Sequence, residues 1–247
     1  VPINDAVKLM RGKPGTSVEI TILRKKVNKP IVLSIQREII ISKGIKTKIF
    51  KNNIGYIRLS NFQSNSTSDL QTAFYKLNKQ SNNNMKGLIV DLRNNPGGVL
   101  GAAVGISDLF LQSGKIVETK GRSSNSELRY EATARDISNG MSLIILINEG
   151  SASASEIVAG ALQDNDRATI LGTKSYGKAS VQTIQELSDG SALKLTTAKY
   201  YTPLGKDIHE NGIMPDVVIE LSDDDKVSLP EPYDKDKQLF EAIKILS

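Results

Sequence analysis

Apolar and polar positions follow one another along the chain in two distinct patterns. Near-alternation with a period of two predicts strands over 18–25 and 30–38, and short apolar runs predict buried strands over 86–93 and 141–149. Apolar residues at helical spacing, preceded by cap residues, predict a helix over 64–80. The same criteria predict further strands over 53–62, 115–122, 167–173, 180–187, 192–203 and 216–220, and further helices over 2–11, 99–112 and 153–165.

The order of these segments predicts an α/β fold. Strands that alternate with helices form layered domains with a mainly parallel central sheet. The first 40 residues hold a helix, a turn and two strands, which is short for an independent core. We therefore divide the chain into a small unit (1–40), a main domain (41–225) and an amphipathic helical tail (226–247). The polar stretch 122–140 is predicted to be a loop.

Composition removes several classes of function. The 247 residues carry a net charge of +5 with 24% charged and 5% aromatic residues, and no basic strip with interleaved aromatics indicates nucleic-acid binding. Apolar runs fall well short of the roughly 18–20 residues that a membrane span needs. The chain has no cysteine, which excludes disulfides, thiolate metal sites and a cysteine nucleophile. No metal or organic cofactor is expected. Because the chain begins at Val1 without a signal segment, we expect it to start inside a longer precursor.

Three serines stand on alternate positions in the stretch NEGSASASEI, residues 148–157. Ser153 lies where a predicted buried strand gives way to a predicted helix, so helix N–H groups would face a developing oxyanion beside its hydroxyl. Serine is also a favoured helix cap, and Ser-Ala repeats allow close packing. The stretch is not a G-x-S-x-G nucleophile elbow. Position alone therefore leaves both a catalytic and a structural role open.

Other segments offer competing chemistry. The single histidine, His209, would be the base of a triad, but it lies in a polar, turn-rich segment typical of a solvated side chain. The segment GTKSYGK matches a phosphate-binding loop up to Lys178, but Ala179 replaces the Ser or Thr that holds magnesium. Ser175 and Lys178 form an S-x-x-K pair without its partner motifs. The turn after the strand in DLRNNPGG, residues 91–98, is either a tight turn or a source of outward N–H groups.

Taken together, these stretches resemble the carboxyl-terminal processing peptidases, also called tail-specific proteases. The resemblance is carried, in the family's order, by GYIRLSNF, GLIVDLRNNPGG, NEGSASASEIVAGALQD, TKSYGKASVQ and YYTPLGKDIHENGIMPDVVIE, over roughly residues 40–225. The segment AVKLMRGKPGTSVEITILRK resembles the second half of that family's PDZ module, so the 1–40 unit is expected to be a partial PDZ-like unit. One position departs from the family pattern, since Ala179 stands where a glycine is usual.

The resemblance assigns roles to particular residues. It implies that Ser153 is the nucleophile and Lys178 the general base. Gln182 would orient the lysine amine, and Ala154, Gly97 and Gly98 would supply the oxyanion hole. Asp164 matches an acidic position reported as important in some members. It lies 11 residues after Ser153, about 16 Å along a straight helix, so we expect a structural or auxiliary role for it.

The resemblance also implies the fold, activity and setting. It implies a crotonase-like or Clp-protease-like core and a serine endopeptidase that cleaves proteins near their carboxyl termini through an acyl-enzyme. Partners would be protein or peptide substrates with free carboxyl termini, and a homo-oligomer is left open. Members are typically exported, so a bacterial periplasm or cell envelope is expected ahead of a chloroplast lumen. The alternative from another class is a non-catalytic, PDZ-bearing scaffold or adaptor.

Overall fold

The structure is a computed structural model that describes residues 3–24, 29–38, 44–121, 127–221 and 235–247. It divides the chain into two compact units, residues 1–43 and 44–247. Among the described residues, no helix combines the length and apolar character that crossing a membrane requires.

The first unit contains the predicted helix and two strands. Helix α1 (Ile3–Met10) precedes strands β1 (Ser17–Ile22) and β2 (Ile31–Gln36), which pair antiparallel. The guanidinium of Arg37 donates to the carbonyl oxygens of Leu9 (3.0 Å) and Met10 (2.8 Å). These bonds satisfy carbonyls that the end of a helix leaves without an intrahelical donor, so Arg37 ties α1 to the end of β2.

The second unit is built on a six-stranded sheet whose helices complete an α/β fold, which confirms the α/β part of the prediction. The strand order is β12-β9-β8-β5-β4-β3, with β3 antiparallel to β4 and the other neighbours parallel. The sheet strands are β3 (Ile45–Phe50), β4 (Ile54–Leu59), β5 (Gly87–Asp91), β8 (Ser142–Ile147), β9 (Thr169–Gly172) and β12 (Val217–Val218). The helices are α2 (Ser66–Gln80), α3 (Leu100–Asp108), α4 (Ala154–Asp164) and α5 (Lys237–Leu246).

The apolar runs in β5 and β8 are buried on both faces of this sheet. Val90 and Ile145 belong to the core cluster shared with α2, α3 and α4, whereas Ile89 and Ile144 belong to the cluster shared with α5. Successive side chains of a strand point to opposite faces, so helices cover both sides. This double burial explains why these strands are apolar without alternation.

Helix α5 is fastened to the sheet through a buried arginine at the end of β5. The Arg93 guanidinium, fully buried, donates to both carboxylate oxygens of Asp236, at 2.9 and 2.8 Å, and to Oε1 of Gln238 at 3.0 Å. It also donates to Asp91 at 3.0 and 2.7 Å. Asp236 is the N-cap of α5 and accepts from the Leu239 N–H. The start of the last helix is thus held beside the strand that leads into the 94–98 turn.

The structure also contains a second, antiparallel sheet of four strands, one of which was not predicted from the sequence. Its order is β10-β11-β6-β7, formed by β6 (Lys115–Gly121), β7 (Leu128–Glu131), β10 (Ser180–Glu186) and β11 (Ala192–Tyr201). The predicted loop over 122–140 is wrong at β7, which pairs with β6, while residues 122–126 of that prediction lie outside the described residues. Strand β3 was not predicted. Both missed strands lie at the edge of a sheet. β7 is largely exposed and β3 is only partly buried, so their side chains lack a strong apolar pattern.

Candidate active site

Ser153 occupies a strained position between β8 and α4. It immediately precedes the helix and has φ 56° and ψ −111°. A positive φ is uncommon for a residue with a side chain, and such strain occurs most often at functional sites. Ser153 is only partly buried. The backbone therefore presents this hydroxyl at the N-terminal end of α4, where helix N–H groups favour negative charge.

The two neighbouring serines are structural. Ser151 and Ser155 are fully buried. The Ser151 hydroxyl donates to the Leu92 carbonyl at 2.8 Å, and the Ser155 hydroxyl donates to the Asn95 carbonyl at 2.9 Å. Both bonds join the start of α4 to the segment that follows β5. Ser151 and Ser155 therefore hold this segment in place on either side of Ser153.

The glycine turn packs directly against Ser153. Gly97 has φ 98°, and a Cβ at this position would lie 2.8 Å from the Ser153 Cβ and 2.9 Å from the Ala154 nitrogen. A Cβ on Gly98, where φ is 148°, would collide with the Phe62 carbonyl. Both positions therefore require glycine, because of close contact as well as dihedral angle.

Asn95 fixes the turn and decides which backbone donors are engaged. It is fully buried, its Nδ2 donates to the Leu59 carbonyl at 2.8 Å, and its Oδ1 accepts from the Gly97 N–H at 2.9 Å. Within the described part of the chain, the N–H groups of Gly98 and Ala154 donate no hydrogen bond. Of the three predicted oxyanion donors, Gly97 is thus already occupied, and Ala154 and Gly98 are the two that a ligand can engage.

Glu156 connects the nucleophile segment with the lysine segment. Its carboxylate, 1% exposed, accepts from the Ser153 N–H at 2.7 Å and the Lys178 N–H at 2.9 Å through Oε2. Its Oε1 accepts from the Ser175 hydroxyl and the Gly177 N–H, both at 2.6 Å. Four donors compensate the cost of burying this charge. One carboxylate therefore positions the main chain of both predicted catalytic residues.

Lys178 lies in the loop that leads into β10, with its side chain partly buried. Gly177, with φ 91°, turns the chain just before it. The following residue, Ala179, is fully buried in the core cluster, and its carbonyl accepts from the Tyr200 N–H at 2.8 Å. The alanine that replaces the family's usual glycine therefore contributes a packed methyl group at this position.

Tyr200 brings a further hydroxyl to the site. It lies on β11 and is 6% exposed, its ring belongs to the main core cluster, and its hydroxyl lies in the neighbourhood of the Ser153 side chain. Burial raises the pKa of Tyr200. The Ser153 side chain acts in the lowering direction and nearby Tyr130 in the raising direction, and the net result is a pKa above the ordinary value. The phenol therefore keeps its proton at neutral pH.

The two remaining predicted residues lie on other elements. Gln182 lies on β10 just after a β-bulge between Val181 and Gln182, and its side chain is exposed. Asp164, at the far end of α4, accepts from the Leu204 N–H at 3.0 Å and from Lys206 Nζ at 2.8 Å. The structure thus brings Asp164 to the turn that follows β11 and not to Ser153.

The competing candidates have other partners. The Ser175 hydroxyl is engaged by Glu156 and by the Ile213 N–H at 2.6 Å, which leaves it in a structural network. His209 Nε2 lies 4.0 Å from the Glu210 carboxylate. The segment after Lys178 is a strand and not the helix that a phosphate-binding loop requires.

Sequence reasoning missed Glu156 and Tyr200. Ser153 and Glu156 satisfy the S-x-x-E spacing of a capping box, so this signal was present in the sequence. Tyr200 carries no comparable local signal, because its burial in the main core cluster depends on residues distant in the sequence.

Known proteins are similar to this chain over most of its length. The family described as Peptidase family S41 matches residues 53–219. The chain is 48% identical over 232 residues to a carboxy-terminal-processing protease of Bartonella bacilliformis, covering 94% of this chain and 52% of that protein. It is 40% identical over 222 residues to a carboxyl-terminal-processing protease of Synechocystis sp., covering 88% of this chain and 51% of that protein. The chain thus spans about half the length of these curated relatives.

A solved structure gives the same result. The photosystem II D1 C-terminal processing protease superposes with a TM-score of 0.67 at 32% identity, covering 89% of this chain and 60% of that one. The resemblance to carboxyl-terminal processing peptidases is therefore confirmed. On the match over residues 53–219, the chain belongs to peptidase family S41.

Proposed function

We propose that this chain carries the catalytic unit of a serine endopeptidase that cleaves protein substrates near their carboxyl termini, with Ser153 as nucleophile and Lys178 as general base. One observation supports the proposal most strongly. Among the three alternate serines, only Ser153 has a hydroxyl that is not donated to a main-chain carbonyl in the described residues. It packs against Gly97, and the N–H groups of the adjoining residues Ala154 (after Ser153) and Gly98 (after Gly97) have no partner in the described residues.

The proposed reaction begins with attack of Ser153 Oγ on the scissile carbonyl carbon. The Ser153 O–H bond breaks and the proton passes to the neutral amine of Lys178. The carbonyl oxygen becomes an oxyanion, which the N–H groups of Ala154 and Gly98 stabilise. Collapse of the tetrahedral intermediate breaks the C–N bond, and the Lys178 ammonium returns the proton to the leaving amine. Water then hydrolyses the acyl-enzyme by the same steps, with Lys178 again accepting a proton.

The supporting residues act on geometry. Glu156 holds the backbone of Ser153 and of Lys178 on one carboxylate, so the two segments keep a fixed separation. We include Gln182 as the residue that orients the Lys178 amine. A straight strand would separate residues four apart by about 13 Å, and the bulge between Val181 and Gln182 supplies a bend that such a contact requires.

The proposed setting follows from the family. Curated relatives are named for carboxyl-terminal processing, so we infer that the substrate is a protein segment with a free carboxyl terminus. We infer export to a bacterial envelope on the same ground. Fractionation of cells that produce the natural protein tests the inferred compartment, and recovery in the cytoplasm would contradict it.

The test of activity uses an unfolded protein substrate, with product masses determined by mass spectrometry. Wild-type protein is expected to release fragments from the carboxyl-terminal end, and Ser153→Ala and Lys178→Ala are expected to release none. Ser151→Ala and His209→Ala serve as controls that retain activity. Wild-type cleavage by Ser153→Ala, or loss of activity in His209→Ala alone, would contradict the proposal. Binding of carboxyl-terminal peptides without any cleavage would favour the scaffold alternative.

A further inference from the structure

Strand β10 is an open sheet edge that begins beside the proposed catalytic residues. In the described part of the chain it pairs with β11 on one side and with no strand on the other. It starts at Ser180, two residues after Lys178, whose N–H shares Oε2 of Glu156 with the Ser153 N–H. The free edge of the second sheet therefore starts next to the segment that carries the nucleophile.

Two main-chain bonds show which groups of β10 face the open side. The Ala179 carbonyl accepts from the Tyr200 N–H at 2.8 Å, and the Leu187 N–H donates to the Ser191 carbonyl at 2.8 Å. In an antiparallel pair, successive residues direct their N–H and C=O groups alternately toward the partner strand and away from it. Because the residues at both ends, 179 and 187, bond toward β11, the even-numbered positions within 180–186 direct these groups to the open side.

Nothing in the sequence of β10 protects this edge from pairing. Natural edge strands are commonly blocked by lysine, proline or a bulge, and the segment SVQTIQE contains no lysine and no proline. The register shift of the ribbon skips one residue of β11, between Thr196 and Ala198, and none of β10. The seven residues of β10 extend over about 20 Å. An extended peptide can therefore pair with this edge along its whole length.

The ribbon of β10 and β11 also presents an exposed apolar face. Leu193 and Leu195 on β11, and Leu187 just after β10, are between 46% and 48% exposed. They share one side of the ribbon, because Leu193 pairs with Gln185 and residues two apart in a strand point the same way. At its base this side continues into Ala179, which is buried in the main core cluster. We call the three leucines the leucine face.

We propose that the protein substrate binds as an extended strand along the open edge of β10, with every second side chain beside the leucine face. This inference rests on the proposed function, because it places the scissile bond at Ser153. Main-chain hydrogen bonds to β10 supply affinity for any sequence, and the leucine face adds a preference for apolar side chains at alternate substrate positions. Such a site takes unfolded segments, whose N–H and C=O groups are free to pair.

The first test uses a cleavable peptide in which single amide nitrogens are methylated in turn, from two residues beyond the scissile bond outward. Methylation removes one N–H donor and leaves the side chains unchanged. Edge pairing predicts that kcat/KM falls about 3- to 10-fold at every second position on one side of the scissile bond. The positions between carry the same methyl group and should stay within about twofold. Losses at consecutive positions, or at none, would contradict the inference.

The second test compares the double variant Leu193→Ala/Leu195→Ala with Leu128→Ala. Leu128 is 48% exposed on β7, at the opposite edge of the same sheet, and is the matched control. On a peptide with leucine at alternate positions, the double variant should lose about 5- to 30-fold in kcat/KM, and the control should behave as wild type. Equal values of kcat/KM for the two variants would contradict the role of the leucine face.

An activated ester of a single amino acid separates this inference from the proposed function. The ester reaches Ser153 but not the edge, so the wild type and the double variant should show equal acylation bursts. A weaker burst in the double variant would show that the leucines support the fold and not the substrate. Acylation that persists in Ser153→Ala would contradict the proposed function itself, whereas a silent Ser153→Ala beside equal kcat/KM for all methylated peptides would contradict only the use of the edge.

Discussion

Replacing Glu156 by glutamine is expected to lower both the stability and the activity of the protein, although Glu156 takes no part in the proposed proton transfer. The carboxylate accepts four hydrogen bonds, two on each oxygen. A glutamine amide has one acceptor oxygen and one donor NH2 group. Whichever way the amide is turned, one pair of donors loses its acceptor and faces another donor. If the amide oxygen takes the place of Oε1, the NH2 group faces the N–H groups of Ser153 and Lys178. If the oxygen takes the place of Oε2, the NH2 group faces the Ser175 hydroxyl and the Gly177 N–H.

The magnitude follows from the two lost bonds. Hydrogen bonds to a charged group contribute about 1.5–3 kcal/mol each, so Glu156→Gln is expected to lower the free energy of unfolding by about 3–6 kcal/mol. That is a large part of the roughly 5–15 kcal/mol that stabilises a typical domain. Folded molecules should also lose activity, because a displacement of about 1 Å between reacting groups costs on the order of 100-fold in rate.

The assay separates the two effects. Urea unfolding, monitored by circular dichroism, gives the free energy of unfolding. The value of kcat is measured without urea and divided by the fraction of folded protein. Glu156→Asp keeps the charge but shortens the side chain, and should retain stability better than activity. Glu149→Gln, an exposed residue that accepts from Thr173 at 3.2 Å, is the matched control. Equal unfolding midpoints and equal kcat for wild type and Glu156→Gln would refute the reasoning.

Two further predictions concern stability away from the reacting atoms. Burial acts to raise the pKa of Asp164. The hydrogen bonds from the Lys206 amine and the Leu204 N–H, among others, outweigh burial and hold the pKa below the ordinary value. The stability that ionised Asp164 contributes is therefore fully present above the unfolded-state pKa of about 3.9 and is lost as pH falls through the folded-state pKa. The urea midpoints of wild type and Asp164→Asn should differ at pH 7 and converge in acid. A difference that stays constant with pH would contradict this. Asp236→Ala leaves the buried guanidinium of Arg93 without one carboxylate, which is expected to cost about 3–5 kcal/mol. The control is Glu241→Ala on the same helix, a partly exposed carboxylate whose partner, Lys244, is exposed. An unfolding midpoint of Asp236→Ala equal to that of this control would show that the α5 anchor is dispensable.

Buried elements were predictable from the sequence, and exposed ones less so. The strands β5 and β8 and helix α4 follow directly from apolar runs and helical spacing, because their side chains are buried on the faces that those patterns predict. Strand β7 escaped prediction because its burial pattern is almost wholly exposed. Its strand character comes from main-chain pairing with β6, which no local pattern encodes.

The candidate site shows the same division. The turn at Gly97 and the placement of Ser153 before a helix were inferred from local sequence, and the structure packs them together. Neither the bond from Asn95 to the Leu59 carbonyl nor the bond from the Lys178 N–H to Glu156 has a local origin. Both depend on long-range packing, so the sequence contained the residues without indicating which of them would touch.

The central claim is that Ser153 becomes acylated with the help of Lys178. The most direct test mixes the protein with an activated peptide ester, quenches the reaction in acid within the burst phase, and locates the acyl group by peptide mass mapping. The account predicts one acyl group per wild-type molecule on the peptide that contains Ser153, and none at that residue within the same burst time in Lys178→Ala. An acyl group on any other residue, or a burst of wild-type rate in Lys178→Ala, would contradict it.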